Sequence, residues 1–187
     1  MPLKICGIDE AGRGCLAGPV VSAAIIIDKN KIPSGIKDSK QLTEAKRKEY
    51  YGILTANASY YSIGTASHNE IDEINILKAA MLSMQRAFDG LSVKPDVVII
   101  DGPSVPSGLT GITGLKVIPV IKGDDRVKLI SCASVIAKVF RDELMVRLDE
   151  KYPHYGFKHH KGYATAEHKN NLIKYGFSEI HRKTFKF

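Results

Sequence analysis

Three apolar runs in this chain end on carboxylates. Ile5-Cys6-Gly7-Ile8 leads into Asp9-Glu10, Val97-Val98-Ile99-Ile100 into Asp101, and Val117-Ile118-Pro119-Val120-Ile121-Lys122-Gly123 into Asp124-Asp125. Each run reads as a strand, and α/β sheets place their ligands in the loops just past strand ends. If the three strands are neighbours, four or five carboxylates converge on one small volume. Such a cluster repels itself and titrates upward unless a cation neutralises it. Oxygen-only ligands select hard divalent ions, Mg2+ or Mn2+, over Zn2+. Two such ions about 3.5 to 4 Å apart can activate a water and stabilise the leaving oxygen of a phosphodiester. A carboxylate-lined metal nuclease is therefore the first expectation. One Asp after one strand is an ordinary turn signal; three of them weigh against that reading.

The stretch after the first pair, Ala11-Gly12-Arg13-Gly14, has a rival reading. Gly12, Gly14 and Ala17 satisfy the G-x-G-x-x-(G/A) dinucleotide fingerprint, which requires a helix next. Here Pro19-Val20-Val21 and Ala24 to Ile27 follow, a β-branched run that reads as a strand, and the cofactor reading fails.

The elements that must position these groups follow from hydrophobic period. Strands are predicted over Leu3 to Ile8, Val20 to Ile27, near Ser59 to Thr65, over Asp96 to Ile100 and over Lys116 to Ile121. Helices are predicted over Thr43 to Ala56, over Asn69 to Phe88, where Ile71, Ile74, Leu77, Met81, Met84 and Phe88 recur every three or four residues, and over Val127 to Leu148. A last helix should start at Thr165 as N-cap and stop at Gly176 as C-cap. The mixture implies an α/β sheet covered by helices.

With 187 residues, 44% of them hydrophobic and 25% charged, the chain fits one globular domain of ordinary composition. It shows no signal-peptide pattern at its start and no apolar run long enough to span a bilayer. Three cysteines, Cys6, Cys15 and Cys132, are an odd set without CxxC spacing. Free buried thiols in a reducing cytoplasm are expected, not disulfides or zinc. Of the net charge of +7, residues 151–187 carry +6, from eight Lys or Arg against Glu167 and Glu179. Such a field suits an arm that meets a polyanion, or a solvated basic tail.

Further marks lie outside the acids: Asp9-Glu10-Ala11-Gly12-Arg13-Gly14 with Gly18-Pro19, Asp38-Ser39-Lys40, Asp101-Gly102, and Lys122-Gly123-Asp124. They continue with Ser131 to Lys138 leading to Arg141-Asp142, then His160-Lys161-Gly162-Tyr163 and His181-Arg182. In this order and spacing, and over nearly the whole length, the chain resembles ribonuclease HII, the bacterial and archaeal type 2 ribonuclease H. The resemblance implies a ribonuclease H-like α/β fold: a mixed central sheet flanked by helices, with a mainly helical C-terminal extension. On this reading residues 1–187 form one catalytic domain, of which about 151–187 is a basic substrate-binding extension.

The resemblance also implies roles. Asp9, Glu10, Asp101 and Asp124 match the family's metal-binding catalytic acids, with Mn2+ or Mg2+ as cofactor. Gly12, Arg13 and Gly14 match the segment that contacts the ribonucleotide 2′-hydroxyl, and Tyr163 the tyrosine that stacks at the RNA-to-DNA junction. The chemistry is sensible, since only the 2′-hydroxyl separates RNA from DNA at one nucleotide. Lys40, Ser131, Ser134 and Lys138 are candidate phosphate contacts, Ser134 being equally a small helix-packing residue. The expected activity is cutting the RNA strand of RNA/DNA hybrids, and cutting 5′ to ribonucleotides embedded in duplex DNA, leaving 5′-phosphate and 3′-hydroxyl ends. The expected protein is a cytoplasmic monomer, its protein partners left open.

Several residues stay ambiguous. Asp125 either joins the acids or begins a helix, and the Lys-Gly context favours Asp124. Asp142 should pair with a neighbouring base. His159, His160 and His168 lack the partners of a zinc site and are expected to touch substrate or solvent. The tail Arg182 to Phe187 either binds another protein through its phenylalanines or folds back. Two rivals remain. Ribonuclease HIII shares the catalytic domain but normally adds an N-terminal domain and departs from GRG; a non-catalytic nucleic-acid-binding module would have no need of clustered acids.

Overall fold

The strand-forming runs assemble into one mixed sheet. The computed structural model describes residues 3–37 and 39–186; Asp38, first residue of the Asp38-Ser39-Lys40 motif, lies outside the described residues, as does Phe187. In chain order the elements are β1 (Ile5–Ala11), β2 (Val20–Ile26), α1 (Glu44–Asn57), β3 (Tyr60–Ala66), α2 (His68–Ile74) and α3 (Ile76–Asp89). They continue with β4 (Val97–Asp101), β5 (Lys116–Val120), α4 (Gly123–Arg126), α5 (Lys128–Lys151), α6 (Phe157–His160) and α7 (Ala166–Tyr175). The strand order is β3-β2-β1-β4-β5. The first three strands run antiparallel, and β4 and β5 run parallel to β1.

Register brings the acids together. Ile8 of β1 pairs with Ile100 of β4, so Asp9 and Asp101 are the next residues on adjacent parallel strands, which lie about 4.8 Å apart. Asp101 in turn pairs with Val120 at the end of β5, and the chain turns there into Gly123 and Asp124. One expectation is corrected. Asp9 and Glu10 do not lie past the end of a strand stopping at Ile8; β1 runs on to Ala11 because Asp9, Glu10 and Ala11 pair with Ala23, Ser22 and Val21 of β2.

Each face of the sheet is covered by one long helix. On one side Cys132, Ala133, Val135, Ile136 and Val139 of α5 pack with Ala23 and Ile25 of β2 and with Tyr50 and Leu54 of α1. On the other, Met84, Ala87 and Phe88 of α3 pack with Cys6, Ile8, Ala24, Ile26, Val98 and Ile100. Gly7 and Gly64 allow the close approach: a Cβ at Gly7 would strike the Leu129 backbone, and one at Gly64 the backbone of α3. A third cluster, Leu16, Ala17, Met145, Tyr155, Phe157, Leu172 and Ile180, joins the C-terminal segment to α5 and to the loop after β1. All three cysteines are free and buried, as expected. Among the described residues no helix is long and apolar enough to cross a membrane.

The helix predicted over Asn69 to Phe88 is two helices. A capping box between Ser67 and Glu70 opens α2, and Asn75, at φ 68°, ends it and starts α3. The Asn75 Oδ1 accepts from the amides of Leu77 and Lys78. With ψ at 163° Asn75 leaves the helical basin altogether, which ends one helix, and its side chain caps the next without breaking the apolar period. Asn75→Ala should lower stability by about 1 to 2 kcal/mol and Asn75→Gly by only a few tenths, read from denaturant midpoints at unchanged m-value.

Candidate active site

The mixed sheet places Asp9, Glu10 and Asp101 so that one ligand oxygen from each lies within 4.8 Å of the others. Asp9 is 3% exposed, and its Oδ1 accepts the Glu10 amide at 2.7 Å. Burial holds its carboxyl well above the usual range; the charges of Glu10 and Asp101 push the same way, and hydrogen bonding from Ser134 opposes them. Burial likewise raises Glu10, against the pull of Arg13, whose Nη1 lies 3.3 Å from Oε1. Asp101 is raised by burial and by the charge of Asp124, while the Gly123 amide, donating to Oδ1 at 2.6 Å, lowers it. One buried and two half-buried carboxylates that disfavour their own ionisation are a donor set suited to a hard divalent cation.

Asp124 stands beside this group rather than inside it. Its amide points at Asp101 Oδ1, at 3.4 Å, and its Oδ2 lies 3.4 Å from Lys40 Nζ. Ser131, a candidate phosphate contact, is buried and donates to the Asp124 carbonyl at 2.6 Å, so it faces the backbone of α4 instead of the groove. Asp125 points away: it is exposed and accepts from Gln41 at 2.6 Å.

A groove of about 480 Å³ opens over the acids, lined by Glu10 to Gly14, Ser39, Lys40, Asp101, Ser134, Lys138 and Tyr163. Ser134 is buried and its hydroxyl lies 2.9 Å from that of Ser39. Lys138 bonds Asp142 at 2.8 Å, the pairing expected for that acid, and its Nζ sits 4.9 Å from the centre of the Tyr163 ring. Tyr163 is 38% exposed and is joined to Cys15 by a backbone bridge.

The glycine loop is held from behind by two arginines whose roles sequence reasoning missed. Arg182 donates to the carbonyls of Gly12 at 2.7 Å, Arg13 at 2.8 Å and Gly18 at 3.0 Å. Arg141 donates to those of Ala17 at 3.0 Å, Pro19 at 3.0 Å and Lys161 at 2.9 Å. Both side chains are fully buried. Burial pulls Arg182 down to about 10, which leaves it charged at neutral pH. Gly12, at φ 95°, has no room for a Cβ because the Arg141 guanidinium fills that space. Carbonyl and amide of one trans peptide point in opposite directions. With the Gly12 and Arg13 carbonyls turned to Arg182, the amides of Arg13 and Gly14 point away from it. A signal for Arg141 was present: it falls seven residues after Ser134, on the apolar stripe of α5, where a long cation is out of place.

Two of the three histidines expected to touch substrate or solvent do not, and His159 does. His159 is exposed and lies 3.3 Å from Glu167. His160 and His168 touch neither solvent nor the groove; they are buried and stacked 4.4 Å apart, with His181 beyond them. The tail folds back as far as Lys186 is described: Lys183 and Thr184 amides donate to Asp72, and Phe185 packs on the core.

Ribonuclease HII is the family whose sequence model matches residues 6–187. The chain belongs to the ribonuclease HII family. It is 48% identical over 179 residues to Ribonuclease HII 1 of Methylibium petroleiphilum, covering 96% of this chain and 88% of that one. It is 47% identical over 184 residues to Ribonuclease HII of Ruegeria pomeroyi, covering 98% and 76%. Among solved structures, the ribonuclease H2 of Pyrococcus horikoshii matches with a TM-score of 0.78 at 31% identity, over 98% of this chain and 94% of that one. The fold is thus ribonuclease H-like, as expected. The chain is a ribonuclease H-type endonuclease of a divalent-metal-dependent family that acts on RNA/DNA hybrids, and the ribonuclease HIII and non-catalytic readings are not favoured.

Two outcomes follow from this ribonuclease HII site. Asp9 is raised above its unfolded value, so its favourable contribution exists below the unfolded pKa of about 3.9 and is lost as pH rises through the folded value. At neutral pH and in chelator, Asp9→Asn should therefore melt higher than the unchanged chain, by about 2 to 4 °C for each kcal/mol relieved. Added Mg2+ or Mn2+ should raise the melting temperature of the unchanged chain and not that of the variant. Arg182→Lys keeps the charge and loses the three-pronged fork; it should cost on the order of 3 kcal/mol in chemical denaturation, since lysine does not replace such geometry.

Proposed function

We propose that this ribonuclease HII family member hydrolyses the RNA strand of RNA/DNA hybrids and cuts on the 5′ side of ribonucleotides embedded in duplex DNA, leaving 5′-phosphate and 3′-hydroxyl ends. The observation that carries the reading is the meeting of Asp9, Glu10 and Asp101 within 4.8 Å, on the floor of a groove walled by the glycine loop and Tyr163. Asp9, Glu10 and Asp101 would hold Mg2+ or Mn2+, with Asp124 joining them from beside the cluster. When bound, such an ion supplies Lewis-acid polarisation of the phosphoryl group and lowers the pKa of water.

The chain's own residues do the recognition. The amides of Arg13 and Gly14, turned from Arg182, offer donors to the 2′-hydroxyl oxygen, and the absence of a side chain at Gly14, where the space is open, lets the ribose approach. Tyr163 presents a ring face and a hydroxyl at the same wall. Lys40, Ser134 and Lys138 stand along the groove where phosphates pass, and residues 151–187 add positive field beside it. Ser131 serves the site indirectly by fixing the Asp124 backbone. Residues 1–187 act as one domain and as a monomer; the three reduced buried thiols fit a cytoplasmic setting.

The test is cleavage of duplex DNA containing one ribonucleotide, with Mg2+ or Mn2+. The unchanged chain should cut, and Asp101→Asn and Asp124→Asn should each lose at least about a hundredfold in rate, on the order of 2.7 kcal/mol in barrier. Asp125→Asn should stay within about threefold, because its side chain is committed to Gln41 outside the cluster. No cutting in either metal, or full activity in Asp101→Asn, would sink the proposal.

A further inference from the structure

Three buried histidines lie behind Tyr163 and have no part in the chemistry above. His160 and His168 stack at 4.4 Å, and His168 and His181 lie 5.2 Å apart, centre to centre. Backbone donors and acceptors order their protons; the Ser178 hydroxyl, 2.7 Å from His181 Nδ1, can take either role and adapts to that order. The Ser178 amide can only donate, and it points at His181 Nδ1 at 2.9 Å. That nitrogen is therefore an acceptor, and the His181 proton is on Nε2. His181 Nε2 faces His168 Nε2 at 2.9 Å, so His168 accepts there and carries its own proton on Nδ1. His168 Nδ1 then donates to the Tyr163 carbonyl at 2.9 Å. The second lone pair of that carbonyl takes the Thr165 amide at 2.8 Å.

His160 completes the packing with the same logic. It accepts the Gly162 amide at Nδ1, 3.2 Å away, and donates from Nε2 to the Tyr155 carbonyl at 2.8 Å. Burial lowers all three imidazoles, His181 to about 4, in keeping with neutral rings.

We propose that His181 and His168 are positioning residues for Tyr163: one proton-ordered chain, starting at the Ser178 amide and crossing two imidazoles, fixes the Tyr163 backbone and with it the ring at the wall of the groove. The proposal rests on the reading of Tyr163 as the residue that meets the ribonucleotide. A helix cap or a lone bond would hold the carbonyl but would not link it to the loop at Ser178. The two-ring chain spans from that loop to the groove wall, with each donor matched to one acceptor.

The test is a double-mutant cycle on the single-ribonucleotide substrate, with kcat and melting temperature measured for each chain. In the presence of Tyr163, His168→Ala should lower kcat by about tenfold or more; in Tyr163→Ala, the same change should lower it by less than about twofold, while the loss in melting temperature is alike in both. His168→Asn, which keeps a donor near the Nδ1 position, should restore most of the rate. An equal fold-loss in both backgrounds, or no loss in either, overturns the inference and leaves the role of Tyr163 standing. Full activity in Tyr163→Ala overturns both. A measurement on the unchanged chain needs no variant: nitrogen chemical shifts of the imidazoles at neutral pH should show His181 protonated at Nε2 and His168 at Nδ1. The opposite tautomer or a charged ring at either residue overturns the chain.

Discussion

Two buried guanidinium groups gripping main-chain carbonyls are the constraint on which the rest of the molecule turns. Between β1 and β2 the chain must cross from an acidic strand to a buried one through residues 12–19, where isolated bridges at Cys15 and Ala17 stand in place of a ladder and leave most carbonyls to other donors. Carbonyl groups shut away from water need donors. Arg141 and Arg182 provide five such bonds to this loop and a sixth to Lys161, with no carboxylate partner of their own among the described residues. They thereby fasten the sheet, the long helix α5 and the C-terminal segment to one loop. The cost of burying two cations is offset by carbonyl dipoles rather than by counter-charges, which leaves net positive potential behind a loop that lines the groove.

In front of that loop the electrostatic sign reverses. Burial and mutual repulsion raise Asp9, Glu10 and Asp101, so without a neutralising cation the arrangement works against stability at neutral pH. A site that binds a cation strongly is one that is uncomfortable without it. The parallel register of β1 and β4 enforces this discomfort, because Ile8 opposite Ile100 leaves the two acids no choice of neighbour. Asp124, held by Ser131, by Lys40 and by the capping of α4 against Asp101, is the one acid of the four fixed by a helix instead of a strand.

Much of this was legible in the sequence, and the exceptions share a cause. Strand and helix periods located the sheet, and runs ending in acids located the cluster. The break at Asn75 was hidden because the apolar positions keep their rhythm across it. The extension of β1 through Asp9 and Glu10 depends on pairing with β2, which no local pattern reveals. Arg141 and Arg182 could be recognised as family marks, but their partners are carbonyls, which every residue possesses, so composition cannot announce the pairing. The buried histidines were misread for a related reason: a polar side chain looks solvent-seeking until its donors and acceptors are all placed. Asp125 was separated from Asp124 by Gln41, 84 positions away.

The Arg182 bridge also sets a schedule. The fork closes on Gly12 across 170 positions of sequence, and contacts of that span form late because loop closure must come first. On a ribosome, the acids of β1 emerge early, and the strands that complete the cluster follow. The glycine loop stays unfastened until the segment bearing Arg182 has cleared the exit tunnel. A nascent chain can thus gather its carboxylates before the loop beside them is fastened, so the two halves of the groove are completed at different times.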